Sequence, residues 1–401
     1  MNTQGSTRDI VFLSAVRTAF GTFGGTLKDF SAVDITVFAA KSALDRAGVE
    51  PGQVQHSIFG NVLQSTPDTI YFARHVALKT GCPIETPGLT LNRLCGSGFQ
   101  AVVSGAQDIL LGESEVCLVG GGESMSQAPH QARGLRWGVP LGKSPPLEDS
   151  LWESLKDPVA GCSMAETAEN LAEQYELDRA SVDAYALRSQ QLARDAWAAD
   201  VFKDEVIGIP VKNAKTKQME EFRRDEHMRP DTSAEGLAKL RPVFRESGVV
   251  TAGNASGIGD GAGAMVITSA EWAQKNGRKP IARLVSWGVA GVDPKIMGIG
   301  PVPASKIALA KAKMTLAQME LIEVNEAFAP QVCAVEKELG IDRELFNVHG
   351  GAIAISHPLA ASGARITAHL IHALRASGKR YGLGSACIGG GQGISVIIEA
   401  L

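Results

Sequence analysis

The 401-residue sequence predicts an α/β protein made of two similar halves, with an insert in the first. Three observations predict this. LCGSGFQAV at 94–102 matches LAASGARIT at 359–367, each a Ser-Gly pair opening an amphipathic helix. VCLVGGGESMS at 116–126 matches SACIGGGQGIS at 385–395, each an apolar strand running into three glycines. The two pairs are 265 and 269 residues apart, so the order of strand, glycine turn and helix is kept, as in a duplicated α/β unit. The stretch 203–246 carries 19 charged residues in 44, against 20% for the chain, and marks the insert.

The elements follow in order. Residues 163–200 have helical spacing and helix-forming residues. The charged stretch after them, with its run EEFRRDEHMR, reads either as a solvated excursion or as a lid meeting a charged ligand. Strand character resumes within 249–267, where small residues suit close packing, and this segment is expected to rejoin the first half's sheet. A strand near 280–291, a strand-turn-helix from Leu321 and a glycine turn with a helix after Asn347 build the second half. The boundaries read 1–129 plus 252–278 for the first half, 130–251 for the insert and 279–401 for the second half.

Composition bounds the function. A net charge of −4 argues against a binder of nucleic acid driven by phosphate neutralisation. No apolar run reaches the ~18 residues of a membrane span, so none is expected. The polar start MNTQGSTRDI lacks the apolar core of a secretory leader, and six cysteines are too sparse for a disulfide scaffold. A cytoplasmic, reducing setting is the expectation. Cys and His show no zinc-ligand spacing, so no metal is expected. There is no GxxxxGK[ST] phosphate loop and no GxSxG elbow.

Four residues stand in contexts that suit chemistry. Cys95 precedes an apolar helical pattern (Phe99, Val102, Val103, Ala106), which places it at a helix N-terminus. Unpaired N–H groups and the helix dipole favour a thiolate there. It reads as a nucleophile or as a small buried hydrophobe. Cys387 ends a strand before glycines whose N–H groups suit an anion. His357, at a turn before Pro358, suits a general base or a backbone-bonded structural histidine. Asn325 follows the strand LIEV, where an amide holds a water or oxyanion without titrating. His349 is ligand-facing or structural; Cys117 and Cys333 read as core.

At this point the chain resembles the thiolase family nearly end to end. The motifs are NRLCGSGFQA (92–101), GGGESMSQAP (120–129), TAGNASG (251–257), MGIGPVPA (297–304), VNEAFAP (324–330), GGAIAISHPLAASGAR (350–365) and CIGGGQG (387–393). The resemblance implies the thiolase fold: duplicated βαβαβαββ halves in five layers, with an inserted loop domain that binds coenzyme A. It implies Cys95 as acyl-accepting nucleophile and His357 as its base. Asn325 would hold a water of one oxyanion hole, and Cys387 would move the α-proton. The N–H groups of Cys95 and Gly389 would form a second hole. Coenzyme A would lie near Arg229, Ser256 and Met164, with Met297 and Phe328 lining the acyl end.

The implied activity is reversible thiolysis of 3-ketoacyl-CoA, or condensation of two acetyl-CoA, by a ping-pong route through acyl-Cys95. It goes with fatty acid β-oxidation, no permanently bound cofactor, acyl-CoA as substrate, and a homodimer or homotetramer. Three positions depart from the family: Ser356 and Ala360, where glycine is common, and His349, where asparagine is common. Ser356 is expected to affect the orientation or hydrogen bonds of the His357 ring. Two alternatives follow: a catalytically impaired thiolase-like CoA-binding protein, and a condensing enzyme of the ketoacyl-synthase type, which the cysteine at 387 disfavours.

Overall fold

A computed structural model describes residues 9–213 and 216–401. Eleven strands form its main sheet: nine in one continuous path and two two-residue strands, Gly21–Thr22 and Val206–Ile207, paired beside it. The first half gives β1 (Ile10–Thr18), β2 (His56–Gly60), β3 (Gly88–Leu91), β4 (Val116–Ser124) and β5 (Gly259–Ser269). The second gives β6 (Ala282–Gly291), β7 (Leu321–Val324), β8 (Tyr381–Ile388) and β9 (Gln392–Ala400). Their order is β7-β8-β9-β6-β1-β5-β4-β2-β3.

The order reads outward alike from the β1–β6 seam, where Ile10, Val11 and Phe12 pair antiparallel with Leu284, Arg283 and Ala282. On each side two antiparallel pairings are followed by one parallel pairing: β1–β5, β5–β4 and β4–β2 against β6–β9, β9–β8 and β8–β7. The duplication read from two short motifs therefore extends to pairing direction. Strand β5 lies between β1 and β4, so the chain does return to the first sheet after the charged stretch.

The eight α-helices of nine or more residues among the described residues are α1 (Ala32–Ala47), α2 (Phe72–Thr80), α3 (Ser97–Leu111), α4 (Met164–Gln174), α5 (Arg179–Ala198), α6 (Pro301–Ala312), α7 (Ala329–Leu339) and α8 (Leu359–Ser377). Three apolar clusters separate the layers. One packs α1 and α2 on the first half's strands, with Val33, Ala40 and Phe72 against Leu118 and Val266. A second surrounds α3 and α8 between the halves, with Phe99, Val102, Ile366 and Leu370 against Val119 and Val396. The third joins α6 and α7 to β7–β9 and takes in Leu171 and Tyr185 from α4 and α5. Fifteen of the nineteen residues of α8 are buried, which is why its sequence is apolar almost all round.

Two expectations need correction. Residues 120–122 are no turn: they lie within β4, whereas Gly390 (φ 78°) and Gly391 (φ 81°) do turn between β8 and β9. The first set is glycine because helices press on the strand. A Cβ on Gly121 would stand 2.1 Å from the Ala360 carbonyl, and one on Gly122 would stand 1.9 Å from Thr36 Oγ1. The charged stretch is also not simply a solvated excursion. Glu205 and Asp225 are buried and bind the fully buried Arg17 guanidinium at 2.8 Å and 2.7 Å, tying the insert to β1. Among the described residues no helix is long and apolar enough to cross a membrane.

Candidate active site

Cys95 sits in a short turn, Leu94–Gly96, between β3 and α3. It therefore precedes the α-helix by two residues instead of opening it. The turn is braced by one hydroxyl: Ser97 Oγ accepts from Arg93 N at 2.9 Å and donates to Leu94 O at 2.7 Å. Leu94 is held at φ 46°, a left-handed conformation that a branched side chain rarely adopts. The sulfur faces a largely apolar cavity of about 170 Å³, whose walls include Met125, Leu359 and Ile258.

His357 lines the same cavity. Its backbone N–H donates to Gly257 O at 2.8 Å, which pins the loop before α8 to the strand-entry segment. Its ring is oriented by a residue the sequence reading left without a role. Ser362 Oγ donates to Pro358 O at 2.9 Å and so is left to accept from His357 Nδ1 at 2.5 Å. The proton is thereby fixed on Nδ1, and Nε2 is the basic atom. Burial, then the charge of Arg365, lowers the imidazole to about 3, so it is neutral at pH 7. The signal for Ser362 was the repeated Ser-Gly pair itself, since Ser97 braces the Cys95 turn in the same manner.

Asn325 follows β7 and is fully buried. Its Nδ2 lies 3.2 Å from His357 Nε2, and its Oδ1 is buried without a protein partner. Cys387 is the penultimate residue of β8 and is fully buried against Met297 and Ala327, with Met164 and Phe328 alongside. Those four neighbours also line the Cys95 cavity. Burial, then the proximity of Cys95, drives the Cys387 thiol far up.

The N–H groups of Gly389 and of Cys95 itself lie near the Cys95 sulfur and favour its thiolate. Burial outweighs them, and Glu123 adds its charge, so the thiol is pushed up to about 11. The expected helix-terminal thiolate is thus corrected: desolvation is larger than the local dipoles, and the resting pair is thiol and neutral imidazole. A Cβ on Gly389 would meet Leu94 Cδ1 at 3.1 Å and Met164 Sδ at 3.2 Å, so this position has little room for a side chain.

Met164, Ser256, Met297 and Phe328 all reach the Cys95 cavity. Arg229 does not. It lines a neighbouring cavity of about 340 Å³ with His227, Thr232 and Ser233. The His227 ring presses on Gly257, which walls the first cavity, so the two hollows are neighbours across this contact.

Of the three departures, Ser356 has φ 78° and a buried hydroxyl with no protein partner. The His357 ring nevertheless engages both Ser362 and Asn325. Ala360 packs over Gly121. His349 lies outside both cavities, bonded to His369 at 3.0 Å, which settles its two readings as structural. Cys117 and Cys333 are buried as expected, and all six cysteines are free.

Two family models cover the chain: the thiolase N-terminal domain matches residues 10–271, and the thiolase C-terminal domain matches 278–400. The chain belongs to the thiolase family. Among relatives, the human mitochondrial 3-ketoacyl-CoA thiolase is 55% identical over 393 residues, covering 98% of each chain. A beta-ketothiolase of Cupriavidus necator is 48% identical, covering 98% of this thiolase and all of its own length. The crystal structure of the human mitochondrial enzyme superposes with a TM-score of 0.96 at 54% identity, over 99% of this chain and 100% of that one.

The thiolase fold and an acyltransferase activity follow. The cytoplasmic expectation is overturned, because the human, Pongo abelii and Bos taurus relatives are all named mitochondrial. Free thiols do not distinguish one reducing compartment from another.

Proposed function

We propose that this thiolase cleaves 3-ketoacyl-CoA with CoA, and runs the reverse condensation of acetyl-CoA, through a thioester on Cys95. One observation carries the reading: Cys95 and His357 line one cavity, and Cys387 is buried against Met297 and Ala327, which wall it, with the N–H groups of Cys95 and Gly389 near the Cys95 sulfur. His357 Nε2 takes the thiol proton as the sulfur attacks the 3-keto carbon. The C2–C3 bond breaks, acyl-Cys95 forms, and the departing enolate takes a proton from Cys387. The CoA thiol then gives its proton to the Cys387 thiolate and attacks acyl-Cys95; acyl-CoA leaves, and the released Cys95 thiolate recovers its proton from His357.

The N–H groups of Cys95 and Gly389 stabilise the oxyanion on the acyl group, each donor contributing roughly 3 kcal/mol. Asn325 holds a water toward the other thioester oxygen, and its unpartnered Oδ1 supports that assignment. The imidazole is neutral at rest, so Nε2 is free to accept the thiol proton, and the nearby N–H groups offset the cost of the charges formed as it does.

Coenzyme A enters along the insert, its adenine end at Arg229 and its pantetheine arm past Ser256 and Met164, with Met297 and Phe328 at the acyl end. A solved complex of the human relative with CoA, at TM-score 0.96, supports CoA as substrate. The partition into 1–129 plus 252–278, 130–251 and 279–401 belongs to the same reading, as do a role in fatty acid β-oxidation and a homodimeric or homotetrameric assembly. Thiolysis of acetoacetyl-CoA by CoA, followed with purified protein, tests it. Turnover is expected, and a folded sample without turnover contradicts the reading. A series of longer 3-ketoacyl-CoA substrates then gives the chain length.

A further inference from the structure

Glu123 ends the GGGE segment of β4, and no step above uses it. It is fully buried, and among the described residues no Lys or Arg pairs with it. Four N–H groups converge on its carboxylate instead. Asn61 Nδ2 (3.2 Å) and Leu63 N (3.0 Å) donate to Oε1; Val62 N (3.2 Å) and Ala360 N (3.1 Å) donate to Oε2.

Ala360 lies in the first turn of α8, a helix that starts after Pro358 with no side-chain cap of its own. A helix start leaves N–H groups unpaired and carries partial positive charge, so it needs an acceptor and favours an anion. The first half supplies that acceptor to the second half's helix. The same turn carries Ser362, which orients His357, while Val62 and Leu63 pack in the apolar cluster that includes Cys95. A single carboxylate thus ties the wall behind the nucleophile to the helix behind the base.

We propose that Glu123 is a positioning residue, whose buried carboxylate caps α8 across the two halves and so fixes His357 relative to Cys95. The environment agrees with a built site. Burial pushes the acid up to about 7 against the pull of the N–H groups of Leu63, Ala360 and Val62, while Asp260 nearby adds a smaller upward push. The inference rests on the thiolase reading for its kinetic consequence, but not for the cap.

The test is Glu123→Gln, read in two ways. An amide has one accepting oxygen, so at least one of the three backbone N–H groups loses its partner. Hydrogen–deuterium exchange of the peptide spanning 357–364 is expected to rise about tenfold, the loss of one bond to a charged group. In acetoacetyl-CoA thiolysis kcat is expected to fall about tenfold to a hundredfold, with KM for CoA within about twofold, because the reacting groups and not the CoA contacts are displaced.

Unchanged exchange, unchanged kcat, or a rise in KM alone overturns the proposal. If the amide variant does not fold, Glu123→Asp, which keeps the charge but withdraws it by one methylene, is read by the same two measures. Should wild-type protein fail to turn over, the thiolase reading fails while the exchange still decides the cap.

Discussion

Gly98 and Gly363 meet backbone to backbone at the centre of the molecule. A Cβ on Gly98 would stand 3.1 Å from the Gly363 carbonyl carbon and 2.5 Å from Ala364 N; one on Gly363 would stand 2.4 Å from Phe99 N. The first turns of α3 and α8 cross here, three residues from Cys95 and six from His357. This contact brings Cys95 and His357 to one cavity. Gly363→Ala is therefore expected to cost at least about 2 kcal/mol of stability in urea unfolding and to lower kcat, since backbone has no room to yield. A variant as stable and as active as wild type contradicts this role.

Cys387→Ala separates the two halves of the chemistry. On the proposed route the acyl transfer needs Cys95 and His357, whereas making or breaking the C2–C3 bond needs the proton carried by Cys387. Incubation with acetyl-CoA is expected still to give acetyl-Cys95 by intact-protein mass. Acetoacetyl-CoA thiolysis is expected to fall by about 10³-fold, within the range of lost general acid–base catalysis. Loss of both activities together would move Cys387 into the acylation step.

The buried imidazole makes a pH prediction. His357 has a folded value of about 3, below its ordinary 6.5. The unfolded chain therefore binds this proton first as pH falls below 6.5, and stability is lost from there toward pH 3. Between pH 7 and pH 5 wild type is expected to lose about 2 kcal/mol more than His357→Gln in urea unfolding. Equal losses would mean that His357 titrates normally in the folded state. Consistently, kcat/KM is expected to show no limb near 6.5 from this residue.

Ser356 holds a positive φ of 78° with a buried, unpartnered hydroxyl. Glycine at this position removes the strain and the unsatisfied group, at the cost of some entropy in the unfolded chain. Ser356→Gly is expected to stabilise the protein by about 1 kcal/mol in chemical unfolding. Destabilisation would show that the hydroxyl has a partner in solution.

Much of this was legible in the sequence because the fold repeats itself. The Ser-Gly pairs at 97–98 and 362–363 mark the crossing helices, and the four residues singled out for chemistry do gather at one cavity and its wall. Three features were hidden. The bond between Ser362 and His357 is marked by the repeated Ser-Gly pair, but the pair does not show that the hydroxyl proton is committed to Pro358 O and so leaves the oxygen to accept from Nδ1. The raised Cys95 thiol depends on how deeply later elements bury it. The pairing of Arg17 with Glu205 and Asp225 joins residues about 200 apart, so neither reading of the charged stretch, solvated excursion or ligand-meeting lid, contained it. Local patterns give local elements and duplicated ones; partners distant in the chain need the fold.

The acyl-enzyme is the most direct test of the whole account. Brief exposure of wild-type protein and Cys95→Ala to acetyl-CoA, followed by intact mass and peptide mapping, reads it without any assumption about chain length. One acetyl group on Cys95 in wild type, discharged by added CoA and absent from the alanine variant, is the predicted result. An unmodified wild-type chain that still binds CoA, or an acetyl group on any other residue, would contradict it.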